Sequence, residues 1–263
     1  MALAKSLVAQ LRLGPAPRVW SFRTAQPVCR VLEALKDGQV TYRDSGRLIK
    51  KHGEQGPYAN GAVMRISPVG LAYRCFLAGV SEPEIASPLE LIQRLQPLVE
   101  PSSEMGRRLK HIANAVSQLP PGSDGDAVRS DVWEGCSKDS AWKVDRRLLD
   151  KVISDRGAKF YWQIKAVDAV ASALWALCRH WGHGMAIVQG AVHQGGDADT
   201  VGAIAGALAG AQNGVGWVPQ RWWDLLEQQV THPRSGARAL VDIAVKLAEL
   251  DVRGSRVSGR DED

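Results

Sequence analysis

The sequence lacks the patterns that mark several large classes of protein. Its four cysteines stand singly, without a Cys-x-x-Cys pair: Cys29, Cys75, Cys136 and Cys178. This spacing argues against a disulfide framework. The net charge of +5 is modest and no Lys/Arg block is present, so the charge pattern does not indicate nucleic-acid binding. We therefore expect an intracellular, cytoplasmic protein with neither a nucleic acid nor a membrane as its partner.

Acidic residues are absent from the beginning of the chain until Glu33, and Leu3, Leu7 and Leu11 recur there every four residues. An acid-free, amphipathic start that contains arginine is typical of organelle transit peptides. The interpretation we favour is a truncated coding sequence whose first helix is arbitrary. Targeting to an organelle stays open as the alternative to a cytoplasmic location.

Strand-like alternation is absent too, whereas apolar residues recur at helical spacing along most of the chain. We predict helices over residues 28–36, 42–52, 66–77, 87–98, 105–119, 142–152, 167–181 and 237–250. The glycine- and proline-rich residues 53–60 and 120–140 are predicted loops. The sequence therefore predicts an all-α fold, and its length of 263 residues favours a single domain.

The most distinctive stretch, residues 193–214, reads HQGGDADTVGAIAGALAGAQNG. Gly202, Gly206 and Gly210 recur every four residues and would share one face of a helix. Three glycines cost an isolated helix about 3 kcal/mol relative to alanine, so close packing has to offset them. We predict that residues 201–214 form a buried central helix. The run is too short for a membrane span, which needs about 20 mainly apolar residues.

Three oxygen-bearing side chains, Asp197, Asp199 and Thr200, stand at the start of this predicted helix, directly after a Gly-Gly pair. Carboxylate and hydroxyl oxygens suit a hard divalent cation such as Mg²⁺. The alternative is that Asp199 or Thr200 only caps the helix. An EF-hand loop is excluded, because Val201 and Leu208 occupy positions that need oxygen ligands. Cys178, His180 and His183 have no fourth ligand for a zinc site.

Two blocks of the sequence resemble the ADP-ribosylglycohydrolases. The segment GGDADTVGAIAGALAGAQNG resembles the C-terminal signature of that family, and YANGAVMRISPVGL, residues 58–71, resembles its glycine-rich substrate loop. Val218-Pro219 before Trp222 fits as well. The resemblance covers roughly residues 28–227. It implies a single-domain orthogonal helical bundle over residues 28–251, with an extension or remnant at 1–27 and a disordered tail at 252–263.

The resemblance also implies an activity, a cofactor and a set of site residues. The activity would be a Mg²⁺-dependent hydrolysis that removes ADP-ribose from modified proteins or related ADP-ribosyl compounds, by a monomeric enzyme. One or two Mg²⁺ ions, or Mn²⁺ in their place, would be bound by Asp197, Asp199 and Thr200. The residues implied for ADP-ribose binding are Tyr58, Asn60, Gly61 and Arg65. Arg65 has a structural ion pair as its alternative role, and no catalytic residue can be named.

Two motifs of the family do not occur in this sequence, a G-D-x-x-G segment and the T-D-D-T that supplies the other half of the metal site. The nearest candidate, residues 41–45, contains one acid where the family has two. Asp124 and Asp126 are alternative ligands, although a solvated loop is the simpler interpretation of residues 120–140. We therefore expect a family member without its N-terminal quarter, with weak metal binding and little turnover. The alternative is a non-catalytic ADP-ribose-binding protein or a structural, crystallin-like one.

Overall fold

A computed structural model of the protein describes residues 30–41, 44, 48, 59–72, 85–119, 141–154, 163–228 and 236–249. The chain divides into two compact units, residues 1–58 and 59–263. In the first unit, residues 30–36 are helical, and Gly38 follows them at a φ of 71°, as expected for a helix that a glycine ends. The predictions for Tyr58, for most of residues 42–52, and for 1–27, 120–140 and 252–263 lie outside the described residues.

The described part of the second unit is helical. Its α-helices are α1 Ser67–Ala72, α2 Pro88–Leu95, α3 Glu104–Val116, α4 Ala141–Ile153, α5 Ala166–Arg179, α6 Gly184–Val192, α7 Ala198–Asn213, α8 Gln220–Gln228 and α9 Ala237–Glu249. Short 3-10 turns occupy Val63–Arg65 and Gln96–Leu98. Among the described residues, the one strand-like pairing is an isolated antiparallel bridge between Ala59 and Lys165. The predicted all-α fold is confirmed, and no helix in this part of the chain is long and apolar enough to cross a membrane.

Serine caps fix the beginnings of α2 and α3. Ser87 accepts a hydrogen bond from the backbone N–H of Glu90 at 3.2 Å, and Ser103 accepts one from Gly106 at 3.0 Å. Each hydroxyl satisfies an N–H group that has no partner within its helix. These local signals explain why both predicted beginnings fall within one residue of the observed ones.

The central helix of the second unit is α5 rather than the predicted segment 201–214. Every residue of α5 from Ala171 to Cys178 is buried, and α5 contacts α2, α3, α4, α6 and α7. Helix α7 buries one face through Val201, Ile204, Ala205 and Ala209, while Ala203 and Ala211 are exposed. From Ala169 to Cys178, α5 has no charged residue, and a helix that is apolar on all sides is buried by its neighbours.

The glycine row of α7 packs on α6 over only part of its length. A Cβ atom at Gly202 would lie 2.9 Å from Val192 Cγ2, and one at Gly206 would lie 3.8 Å from Val188 Cγ2. A Cβ atom at Gly210 would meet nothing within 4 Å. Close helix packing therefore accounts for Gly202 and in part for Gly206, but not for Gly210.

Candidate functional site

The Gly-Gly loop turns the chain into the N-terminus of α7. Gly195 and Gly196 adopt φ values of 75° and 71°, a region that glycine enters without the steric penalty of a side chain. Asp197 occupies the N-cap position, and its side chain makes no capping hydrogen bond. The capping alternative concerns Asp199 or Thr200, and the Asp199 carboxylate does accept from backbone N–H groups at the start of α7, so capping remains the alternative role of Asp199.

Asn60 joins the two blocks that carry the family resemblance. Its buried side-chain amide donates one hydrogen bond to Asp197 Oδ2 and another to the main-chain oxygen of Gln163, at 2.8 Å. Its backbone N–H donates to the main-chain oxygen of Ile164 at 2.9 Å. The structure thus brings the glycine-rich loop and the aspartates of α7 to one point, as the sequence resemblance implies for residues of one site.

Gln163 is the residue of this cluster that sequence analysis missed. Its side-chain Oε1 accepts a hydrogen bond from the backbone N–H of Asp197 at 2.9 Å, and only 2% of the residue is exposed. A lone glutamine shortly before a predicted helix carries no sequence signal for such a role. The contacts span 103 and 34 residues of chain, so only the tertiary fold reveals them.

Two more of the predicted residues, Thr200 and Arg65, contact the elements that meet here. The Thr200 side chain is buried, and its Oγ1 lies 3.9 Å from Met64 Sδ, which places the first turn of α7 against the 3-10 turn Val63–Arg65. The exposed Arg65 donates from its guanidinium to the main-chain oxygen of Gly61 at 2.8 Å. This hydrogen bond braces the Asn60-Gly61 turn and keeps a positive charge beside it.

The carboxyl groups of Asp197 and Asp199 interact with each other. Burial raises the pKa of Asp197, the Asn60 amide lowers it, and Asp199 raises it further. The hydrogen bond with Asp197 lowers the pKa of Asp199, and the backbone N–H of Thr200 lowers it too. The two groups therefore titrate as a pair, with the pKa of Asp197 above its usual range and that of Asp199 below it.

These residues fit a hard divalent cation in kind, but they offer only a few ligands. Two adjacent carboxylates and a hydroxyl are oxygen donors of the type that Mg²⁺ prefers, in a shell of six. Among the described residues, no group of three or more His, Cys, Asp or Glu side chains is placed to hold a metal ion. The described part of the site therefore accounts for at most half of an octahedral shell.

Two of the three residues rejected as zinc ligands are buried in the core. Burial raises the pKa of the Cys178 thiol to about 12, as expected for a thiol packed among apolar side chains. The His180 ring packs on Gly190, where a Cβ atom would lie 2.6 Å from Nε2. Both residues are buried packing groups of α5 and its C-terminal end.

Comparison with known proteins shows which family the chain belongs to. The family model for ADP-ribosylglycohydrolase matches residues 2–255. ADP-ribosyl-[dinitrogen reductase] glycohydrolase of Rhodospirillum rubrum is 48% identical over 60 residues, which are 23% of this chain and 19% of that protein. An uncharacterized protein of Archaeoglobus fulgidus is 27% identical over 216 residues, 73% of this chain and 59% of that protein. The chain spans less than two thirds of the length of these curated relatives. The match over residues 2–255 shows that the chain belongs to the ADP-ribosylglycohydrolase family.

Proposed function

We propose that this protein is a Mg²⁺-dependent hydrolase that releases ADP-ribose from modified proteins or related ADP-ribosyl compounds. The observation that carries the proposal is the hydrogen bond between Asn60 and Asp197. It links the loop proposed to bind ADP-ribose to the aspartates proposed to bind the metal. The relative from Rhodospirillum rubrum is itself named as a glycohydrolase of an ADP-ribosylated protein, which supports the same substrate class.

Each side chain has a distinct role in this proposal. Asp197, Asp199 and Thr200 would hold Mg²⁺ or Mn²⁺, which orients and activates a water when bound. Asn60 keeps the Asp197 carboxylate in place, because its amide donates to one oxygen of that group. Arg65 places a guanidinium beside the Gly61 turn, where its positive charge would attract the diphosphate of ADP-ribose. The Asn60-Gly61 turn is thereby the proposed ADP-ribose-binding element.

The number of ligands favours a second candidate function, ADP-ribose binding without turnover, of which a structural, crystallin-like role is one form. The described residues contain no cluster of three or more His, Cys, Asp or Glu side chains that could hold a metal ion. Water can complete the shell, but each water in place of a carboxylate removes a negative charge that would hold the cation. We therefore propose weak metal binding and little release of ADP-ribose by the 263-residue chain.

Release of labelled ADP-ribose from proteins modified on arginine or on serine distinguishes the two functions. A hydrolase gives release that requires Mg²⁺ and is lost in Asp199→Asn, whereas the binding protein gives none while still binding ADP-ribose. The exposed Asp242 of α9 provides the matched control, since Asp242→Asn removes the same charge away from the cluster. Robust release of ADP-ribose that depends on Asp199 would contradict the proposal that too few metal ligands are present for turnover. Absence of both release and binding would contradict both functions.

The role of the loop is tested separately by Asn60→Ala. We expect ADP-ribose affinity in Mg²⁺ to fall about tenfold or more, because the variant removes a hydrogen bond to a carboxylate. Calorimetric titration of both proteins measures the change. Equal affinity in the unchanged chain and in Asn60→Ala would remove the loop from the site.

A further inference from the structure

Gln163 holds Asp197 and Asn60 simultaneously. Its side-chain Oε1 accepts from the backbone N–H of Asp197 at 2.9 Å, and its main-chain oxygen accepts from the side-chain amide of Asn60 at 2.8 Å. Asn60 in turn donates to the Asp197 carboxylate. The three residues therefore form a closed ring of hydrogen bonds, and Asp197 is held at both its backbone and its side chain.

The backbone of Gln163 is strained in a way that the ring explains. Among the described residues, Gln163 is the one non-glycine with a positive φ, at 44°. A side chain disfavours this left-handed region, so surrounding contacts have to hold the residue there. The conformation directs the main-chain oxygen to one partner and the side-chain oxygen to another. The adjacent Ile164 oxygen accepts from the Asn60 N–H as well, which anchors the same segment.

The geometry points to Gln163 as a positioning residue for the metal ligand Asp197, an inference that rests on the proposed function. Groups that form hydrogen bonds to a metal ligand and so orient it contribute to metal affinity without contacting the ion. Gln163 has this relation to Asp197, since it fixes the N–H of the residue at the N-cap of α7. Without Oε1, the Gly-Gly loop and the Asp197 carboxylate lose one of their two restraints.

Gln163→Met tests the inference, because methionine keeps similar volume and the main-chain oxygen but removes the Oε1 acceptor. We expect the Kd for Mn²⁺, measured by electron paramagnetic resonance of the free ion, to rise about 10- to 100-fold. The affinity for ADP-ribose in EDTA should stay within about twofold, because the contacts of the Asn60 amide to main-chain oxygen are retained. The matched control is Gln228→Met, at an exposed position of α8.

A merely structural glutamine would give a different set of results. In that case Gln163→Met would lower the Mn²⁺ affinity, the ADP-ribose affinity and the melting temperature together. Gln163→Glu would then not restore the Mn²⁺ affinity selectively. We expect Gln163→Glu to recover Mn²⁺ affinity, since a carboxylate oxygen can accept the same hydrogen bond. Gln163→Gly, which tolerates the positive φ, replaces the methionine variant if that protein does not fold.

Asp199→Asn separates failure of this inference from failure of the proposed function. Loss of Mn²⁺ binding in Asp199→Asn together with unchanged binding in Gln163→Met overturns the role of Gln163 alone. Unchanged Mn²⁺ binding in Asp199→Asn overturns the metal site itself, and the role of Gln163 with it. A Mn²⁺ affinity of Gln163→Glu as low as that of Gln163→Met also contradicts the inference.

Discussion

Acid should destabilise this protein through His180, which ends α5. The residue is 8% exposed, and its ring packs against Gly190 of α6. Burial, together with the smaller effects of the nearby Arg179 and His183, lowers the pKa of His180 from 6.5 to about 4. The ring is therefore neutral in the folded protein at pH values where it is already protonated in the unfolded chain.

The sign and size of the effect follow from this difference in pKa. Because the unfolded state binds the additional proton, the contribution to stability is complete above pH 6.5 and is lost as the pH falls towards 4. A difference of 2.5 between the two pKa values corresponds to about 3 kcal/mol over the whole window. Between pH 7.5 and pH 5, the loss attributable to His180 is about 2 kcal/mol.

Urea unfolding of the unchanged chain and of His180→Gln at these two pH values measures the contribution. The unchanged chain should lose about 2 kcal/mol more on acidification than the variant, since glutamine does not titrate. His193→Gln, at an exposed histidine, should retain the full pH dependence. Equal pH dependence in the unchanged chain and His180→Gln would show that His180 is not held neutral by burial.

Two further predictions concern packing in the second unit. Gly210→Ala should raise the free energy of unfolding by up to about 1 kcal/mol, because a Cβ atom there meets nothing within 4 Å. Gly202→Ala should raise the free energy of unfolding less, or lower it, since its Cβ atom would lie 2.9 Å from the stiff Val192 side chain. Equal increases in the free energy of unfolding at both positions, measured in urea, would contradict the packing of α7 on α6. Arg108→Met should destabilise the protein by about 3 kcal/mol, because Arg108 pairs with Glu104 and Asp168 at 3.1 Å in a largely buried position. Thermal unfolding checks this change, and a loss comparable to that of an exposed arginine, such as Arg221→Met, would show that the buried pairing is not needed.

Local signals in the sequence determine much of this fold. The serines that cap α2 and α3 and the apolar periodicity of those helices make their existence predictable. The Gly-Gly pair predicts the loop before Asp197 because only glycine enters positive φ without penalty. Such features depend on neighbouring residues, and a single sequence contains them.

Contacts between distant residues were the part that the sequence did not reveal. Helices α6 and α8 lie outside the predicted helices. Gln163 and Asn60 form a hydrogen bond although they are 103 residues apart in the sequence, and the local propensities of neighbouring residues do not predict such a contact.

The linkage between Mg²⁺ and ADP-ribose tests the central claim of this account most directly, because the claim assigns both ligands to one cluster around Asn60 and Asp197. The measurement is the ADP-ribose affinity of the 263-residue chain by calorimetry, in saturating Mg²⁺ and in EDTA. We predict tighter binding in Mg²⁺, loss of that difference in Asp199→Asn, and its retention in Asp242→Asn. Equal affinity in Mg²⁺ and in EDTA, or a difference that survives Asp199→Asn, would contradict the account.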